Sequence, residues 1–291
     1  MAHDHSHHHS GKNIKTAFFL NLGFTIFEFI GGFYVNSIAI VSDAVHDLGD
    51  SLSLGLSWYL DKKSKQGANA QFSFGYSRFS LLGALINSIV LIAGSVYVVS
   101  EAVQRIIHPE PSDADGMIVF GILGVAVNGY AAYKMSHGRT LNEKVLSWHL
   151  IEDVLGWAAI LIVAIVLKFY QNQYLDPTLS LLITAFILWN VIKRLKETLH
   201  VFLQGVPMDV KLEDIEEKLL TVSHVDSVHH SHIWSLDGEH HVFTTHVKLK
   251  SINDLHTLLL VKKEIKVALD PCHFGHCTIE VELDGETCRL E

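Results

Sequence analysis

Four ionisable side chains interrupt the apolar run from Ile38 to Leu60, and they are Asp43, His46, Asp47 and Asp50. Their spacing of i, i+3, i+4 and i+7 aligns them on one side of a helix. An ionised side chain near the middle of a bilayer costs ~2.5–3.5 kcal/mol on insertion scales, so such a face needs a partner or an ion.

A matching pair lies in the later apolar run from Val145 to Leu167, where His149 and Asp153 repeat the i, i+4 spacing of His46 and Asp50. Two imidazoles and two carboxylates suit tetrahedral Zn²⁺ better than Ca²⁺ or Mg²⁺, which take six or more oxygen ligands. Two carboxylates also cancel the charge of a divalent ion, which lowers the cost of burying it. These four side chains form the predicted metal site. The alternative is that each pair makes only an interhelical hydrogen bond.

Loss of the ion would leave two buried carboxylates, and protons are their natural replacement. Imidazole has an unperturbed pKa of about 6.5, so protons compete with metal for it near neutral pH. The pattern therefore predicts exchange of a metal ion for protons.

The remaining polar residues of the apolar runs have less defined roles. Asp43 and Asp47 either line the ion pathway and support the ligands or face an outer water-filled cavity, and we expect the cavity. Four single polar residues are expected to form interhelical hydrogen bonds, and they are Glu28, Asn87, Asn128 and Glu152.

The composition is that of a membrane protein with soluble parts, because 49% of the residues are hydrophobic and only 18% are charged. Acidic residues outnumber basic ones by 31 to 22, so a nucleic-acid partner has no electrostatic support. Six apolar runs approach the ~20 residues that a bilayer requires, which predicts a six-helix transmembrane bundle. They are residues 14–35, 38–60, 79–104, 116–135, 145–167 and 177–192.

The basic residues that flank these runs are distributed unequally. Two lie on one side, Arg105 and Lys168, and twelve lie on the other. The twelve are Lys12, Lys15, Lys62, Lys63, Lys65, Arg78, Lys134, Arg139, Lys144, Lys193, Arg194 and Lys196. The positive-inside rule therefore predicts that the N- and C-termini are both cytosolic.

Three domains are predicted: a disordered cytosolic tail over residues 1–11, a transmembrane domain over 12–204 and a cytosolic domain over 205–291. The tail offers imidazoles that could collect metal ions, at His3, His5, His7, His8 and His9. A purification tag is the alternative, but other residues separate these histidines. The cytosolic domain is predicted to be α+β, with the element order α-β-β-α-β.

Several motifs together resemble the cation diffusion facilitators, and most closely their zinc-transporting bacterial branch. These motifs are Ser42-Asp43-Ala44 leading into His46-x-x-x-Asp50, Phe74-Gly75-Tyr76-x-Arg78-Phe79, His149-x-x-x-Asp153, Gly205-Val206-Pro207 and His232-Ile233-Trp234. Their similarity covers nearly the whole chain after the tail.

The resemblance implies a homodimeric zinc/proton antiporter of the cytoplasmic (inner) membrane, which exports zinc by alternating access through His46, Asp50, His149 and Asp153. It implies a ferredoxin-like C-terminal domain that dimerises and also binds zinc. Metal ligands in that domain are expected at the positions that match the family, which are His232, His246, Glu280 and His256.

Two features depart from the family pattern. The loop from Asp61 to Arg78 contains no histidine, so a zinc site that some relatives hold there is expected to be missing. The segment from Cys272 to Cys277 holds either an extra zinc site or an exposed loop. The candidate ligands of that extra site are Cys272, His273, His276 and Cys277.

Two rival functions remain open. An intramembrane zinc metalloenzyme would need an open coordination position and a general base, for which Glu152 is the neighbouring candidate. A non-transporting metal sensor would bind zinc without moving it. The combined motifs favour a transporter and not an enzyme.

Overall fold

A computed structural model describes the backbone of residues 7–64, 66–136, 141–286 and 288. Side chains are described in the same ranges except at residues 7–17, 57–58, 61–62 and 134–149. The chain divides into two compact units. The first comprises Met1–Lys62 and Leu82–Leu195, and the second comprises Lys63–Leu81 and Lys196–Glu291.

Six long helices precede the C-terminal sheet. They are α1 (His7–Tyr34), α2 (Ile38–Ser64), α3 (Phe79–Ile107), α4 (Ala114–Ser136), α5 (Leu141–Phe169) and α6 (Leu175–Phe202). Four stretches of the described residues are long and apolar enough to cross a membrane, and they are Phe79–Ile107, Ala114–Tyr133, Leu150–Phe169 and Leu175–Phe202. The described apolar part of α1 is shorter, at Phe18–Tyr34. Three aspartates interrupt the apolar sequence of α2.

The predicted N-terminal tail overlaps the first helix. Residues 1–6, which include His3 and His5, lie outside the described part of the chain, whereas α1 begins at His7. The sequence predicts disorder through Gly11, but the helix extends into this segment by about one turn. The apolar residues that follow supply the packing that stabilises the helix, and a polar first turn can be solvated at little cost.

The first half of α2 is the packing centre of the helical unit. On one side, Ala39 and Ile40 belong to a buried cluster with Trp157 of α5. On the other, Val41 and Val45 belong to a second cluster with residues of α3 and α6. This half of α2 is therefore held between other helices on two sides.

The start of α2 is fixed by a carboxylate from α6. Asp176 accepts hydrogen bonds from Ser37 Oγ (2.5 Å), from Ile38 N (2.7 Å) and from Ala39 N (3.4 Å). The first N–H groups of a helix have no partner within the helix, and a negative charge there is favourable. Asp176 is 1% exposed, so the contact links the two helices inside the protein.

We expect Asp176→Ala to lower the free energy of unfolding by about 1–3 kcal/mol, because it leaves buried N–H donors of α2 without an acceptor. The measurement is thermal unfolding of the full chain in detergent. Asp115→Ala is the matched control, because it removes only the ion pair to Lys168 at the surface, worth about 0–1 kcal/mol. Equal effects of the two variants would contradict the capping role of Asp176.

The C-terminal part of the second unit is a three-stranded sheet with two helices. Its elements are α7 (Leu212–Leu220), β1 (Val225–Ser235), β2 (His241–Leu249), α8 (Leu255–Leu269), a 3₁₀ turn (Asp270–Cys272) and β3 (His276–Glu282). β1 pairs antiparallel with β2, which pairs parallel with β3. Apolar residues of both helices and all three strands form one core. The predicted small sheet domain is confirmed, and its elements follow the predicted order.

The second unit also contains the loop between α2 and α3. The Phe74 ring lies 6.5 Å from the Trp234 ring of β1 and 5.4 Å from the His276 ring of β3. The sequence predicts a single domain boundary at residue 205, whereas these aromatic contacts place the loop between α2 and α3 beside the sheet. The spacing of residues along the chain does not reveal a contact between such distant segments.

Candidate metal sites

Polar side chains align α1 with the part of α2 that carries the acidic face. Asn21 Nδ2 donates to the Asp47 carbonyl oxygen (3.2 Å) and to Ser51 Oγ (3.0 Å). Thr25 Oγ1 lies 3.3 Å from the same Ser51 hydroxyl. These bonds fix the rotation of α1 relative to α2.

His46, Asp50 and Asp153 lie together in the helical unit. His46 Nε2 is 3.8 Å from Asp50 Oδ2 and 3.7 Å from Asp153 Oδ1. Two ligands of a tetrahedral zinc ion are about 3.4 Å apart, given metal–ligand distances of about 2.0–2.1 Å. The separation of His46 from each of these two carboxylates therefore exceeds the ligand spacing of such an ion by a few tenths of an ångström.

The exposure of these side chains suits an exchangeable ion. His46 and Asp50 are 28% and 27% exposed, whereas Asp153 is 10% exposed. Oδ1 of Asp153 is buried and has no hydrogen-bond partner among the side chains that the structure describes. The two ligands from α2 are therefore partly exposed, whereas the ligand from α5 is mostly covered by other residues. The fourth predicted ligand, His149, lies one helical turn before Asp153, but its side chain is outside the described residues.

Asp43 and Asp47 do not face water. Their residues are 5% and 6% exposed, so the expected water-filled cavity is wrong. Together with Glu28 of α1, they offer carboxylate oxygens that all lie within 4.8 Å of one another. Glu28 is 0% exposed. We call Glu28, Asp43 and Asp47 the acidic triad.

The other single polar residues differ in their partners. Asn87 of α3 donates to Ser53 Oγ of α2 at 2.7 Å, so that interhelical bond is confirmed. Asn128 donates to the Gly124 carbonyl oxygen of its own helix. Both carboxylate oxygens of Glu28 are buried without a hydrogen-bond partner among the described side chains, and its expected interhelical bond stays a prediction. Glu152 is exposed, on a different side of α5 from its less exposed neighbour Asp153.

A second group of candidate ligands lies in the sheet domain. His246 Nδ1 is 2.9 Å from Glu282 Oε1, and His229 Nε2 is 3.3 Å from Glu282 Oε2. Cys288 Sγ lies 3.6 Å from His246 Nδ1. The four ligand atoms fall within 4.8 Å of one another, and we call this set the sheet cluster. Hydrogen bonding from His246 and the nearby His229 ring hold the pKa of Glu282 below its usual value.

The ligands predicted from the family pattern overlap this cluster only in part. His246 belongs to it, whereas Glu280 is 64% exposed and lies 3.5 Å from His246 Nε2. His232 is exposed and pairs in register with Thr244. His256 is exposed in the first turn of α8.

A β-bulge explains why sequence periodicity missed His229. His229 pairs with His246 and His232 pairs with Thr244, so the register shifts between them. His230 has φ +48° at this point. A bulge reverses the alternation of side chains, which puts His229 and His232 on one face although they are three residues apart.

The segment from Cys272 to Cys277 does not form a ligand cluster among the described residues. The His273 ring nitrogen Nδ1 contacts the Pro271 carbonyl oxygen, and His276 Nε2 contacts Thr278 Oγ1. Burial, together with the nearby Cys272 thiol, raises the pKa of Cys277. The exposed-loop alternative fits these contacts better than the predicted zinc site.

Long apolar helices that enclose imidazole and carboxylate groups define a membrane protein that handles metal cations. Comparison with known proteins identifies the family. The model of the cation efflux transmembrane domain matches residues 14–203, so the chain belongs to the cation efflux family. The resemblance to the cation diffusion facilitators is thereby confirmed, and the protein is a metal cation efflux transporter and not an enzyme.

Similar proteins match over almost the whole chain. The cadmium, cobalt and zinc/H(+)-K(+) antiporter of Bacillus velezensis is 31% identical, over 96% of this chain and 91% of the relative. The metal cation efflux system protein CzcD of Cupriavidus metallidurans is 33% identical, over 97% and 91%. The zinc transporter ZitB of Escherichia coli is 28% identical, over 100% and 96%.

Proposed function

We propose that this protein exports Zn²⁺ from the cytosol in exchange for protons, with the ion held by His46, Asp50, His149 and Asp153. The observation that carries the proposal is the approach of His46 to Asp50 and to Asp153 of a different helix. The i, i+4 spacing of His149 and Asp153 supplies the fourth ligand. The substrate is inferred from relatives whose names specify zinc.

The charge of this ligand set explains why protons are the exchanged ion. Two carboxylates neutralise Zn²⁺, so the loaded site carries no net charge through the apolar unit. When the metal leaves, two carboxylates and two imidazoles are left with no compensating cation. Proton uptake restores neutrality, and it also lowers metal affinity because ligands must be deprotonated to bind.

The membrane arrangement follows from the same helices. Six helices of 23 to 29 residues are each long enough to cross a hydrocarbon core of about 30 Å. We propose that all six span the cytoplasmic (inner) membrane, with both termini cytosolic. The C-terminal sheet domain, of ferredoxin-like type, then lies in the cytosol and joins two protomers as a homodimer.

Two adjacent residues of α5 give a matched test of the transport site. We expect Asp153→Asn to reduce proton-driven zinc uptake into proteoliposomes at least about tenfold, because it removes one ligand and one charge from the neutral set. Glu152→Gln is the control, because this side chain is exposed, and its flux should equal that of the parent. A parent without flux, or equal flux in Asp153→Asn, would contradict the proposal.

The same variants bear on the rival functions. A zinc metalloenzyme that used Glu152 as its general base would lose activity in Glu152→Gln, and a sensor would bind zinc without flux. Neither rival is favoured, because the family and its named relatives are transporters.

We further propose that the sheet cluster binds zinc in the cytosolic domain. Two imidazoles, a carboxylate and a thiol form a complete four-ligand set for Zn²⁺. The distances of 2.9 to 3.6 Å among their ligand atoms support a compact site. The acidic Glu282 is buried, and a cation would compensate its charge.

The thiol makes this site distinguishable by spectroscopy. Full-length protein with Asp50→Asn and Asp153→Asn, titrated with Co²⁺, should show a thiolate-to-metal charge-transfer band in the near ultraviolet. We expect Cys288→Ser to abolish this band and His229→Ala to weaken metal affinity by about tenfold or more. His232→Ala is the matched control and should preserve both. Loss of the band in His232→Ala, with retention in Cys288→Ser, would show that the family-based ligands form the site instead.

A further inference from the structure

The acidic triad adjoins the transport site. Asp43 precedes His46 by three residues in α2, a rise of about 4.5 Å along the helix. A Cβ added to Gly156 of α5 would lie 3.5 Å from Asp43 Oδ1, and Gly156 follows Asp153 by three residues. Asp43 therefore lies at the next level of the interface between α2 and α5, toward the first residue of α2, whereas Asp47 lies at the level of the transport ligands.

The third carboxylate of the triad comes from α1. Asn21, Thr25 and Glu28 follow i, i+4, i+7 spacing, so they share one face of that helix. The hydrogen bonds of Asn21 and the contact of Thr25 with Ser51 direct this face at α2. Glu28 is thus held against the α2 aspartates by bonds that do not involve its own carboxylate.

Burial makes three adjacent carboxylates costly unless something compensates them. The residues are 0%, 5% and 6% exposed, and no lysine or arginine ion pair with them is found among the described side chains. An isolated buried carboxylate costs several kcal/mol in an apolar medium. Three in one place repel one another as well.

The unpartnered oxygens indicate what compensates the charge. Both oxygens of Glu28 and Oδ2 of Asp43 are buried without a hydrogen-bond partner among the described residues. Either a proton on each acid or a bound cation can compensate such oxygens, and a cation binds carboxylate oxygens at about 2.0–2.6 Å. Ligands on opposite sides of a metal ion are about 4.0–5.2 Å apart, given metal–oxygen distances of about 2.0–2.6 Å. The carboxylate oxygens of the triad all lie within 4.8 Å of one another, which is close enough for one ion to contact all three residues.

We propose that Glu28, Asp43 and Asp47 form a second metal-cation site, made of oxygen ligands only, which receives the ion leaving the transport site. The direction of transfer depends on the proposed function, whereas the existence of the site does not. In the proposed orientation, α2 starts at the outer face, so Asp43 lies on the exit side of His46 and Asp47 adjoins His46 itself. Oxygen ligands bind Zn²⁺ less tightly than imidazoles do, which favours release.

Mn²⁺ is the probe that isolates this site, because carboxylate ligands suit it and it binds imidazole and thiolate ligands weakly. The protein is full-length and carries Asp50→Asn and Asp153→Asn to disable the transport site. Electron paramagnetic resonance should report one tightly bound Mn²⁺ per chain, with no coupling to a ligand nitrogen. Added Zn²⁺ should displace it.

Glu28→Gln in this background preserves the side-chain volume and should weaken Mn²⁺ binding by about tenfold or more. Glu152→Gln is the matched control in the same helical unit and should leave Mn²⁺ binding unchanged. The thermal midpoint of each variant verifies that folding is retained. A single Mn²⁺ lost only in Glu28→Gln would support the site.

Three outcomes would overturn the second site: no bound Mn²⁺ before Glu28 is changed, unchanged binding in Glu28→Gln, or nitrogen coupling on the bound ion. Zinc flux by the parent is measured in parallel. Flux without a Mn²⁺ site would reject the triad and leave the proposed transport function intact. A Mn²⁺ site without flux would reject the transport function and retain the triad as a cation site.

Discussion

Carboxylates in an apolar helical unit must be compensated, and this requirement organises the protein. α2 carries three aspartates on one face, and neither water nor a basic side chain among the described residues compensates its buried pair. The other helices are arranged around that face. Asp176 of α6 fixes its start, α1 contributes Glu28, and α5 contributes Asp153.

The polar side chains of α2 differ in their solvent exposure. His46 and Asp50 have side chains that are about a quarter exposed, whereas Asp43 and Asp47 are buried. His46 and Asp50 are therefore the partly exposed ligands in the conformation described. The buried residues Asp43 and Asp47 lie in the half of α2 that packs against other helices on two sides. Alternating access would require this packed half to loosen relative to its neighbours.

Local spacing was enough to predict that His46 lies near Asp50 and Asp153, because each His-x-x-x-Asp pair spans about one turn of its helix. Glu28 was missed as a member of a cluster because it is an isolated polar residue, and only the rotation of α1 brings it to Asp43 and Asp47. His229 was missed because a bulge reverses the strand alternation, and Cys288 because it follows the last strand. His149 stays a prediction. The other helices and strands were predictable because apolar residues recur about every 3.6 positions in a helix and every second position in a strand.

The central claim is that one neutral ligand set on α2 and α5 exchanges a metal ion for protons. Its most direct test is to count the protons that leave proteoliposomes for each zinc ion that enters, with a zinc dye and a pH dye in the same vesicles. The account predicts opposing proton movement that starts with zinc addition and keeps a fixed ratio to zinc entry. Zinc entry by the parent protein with no opposing proton movement would contradict it.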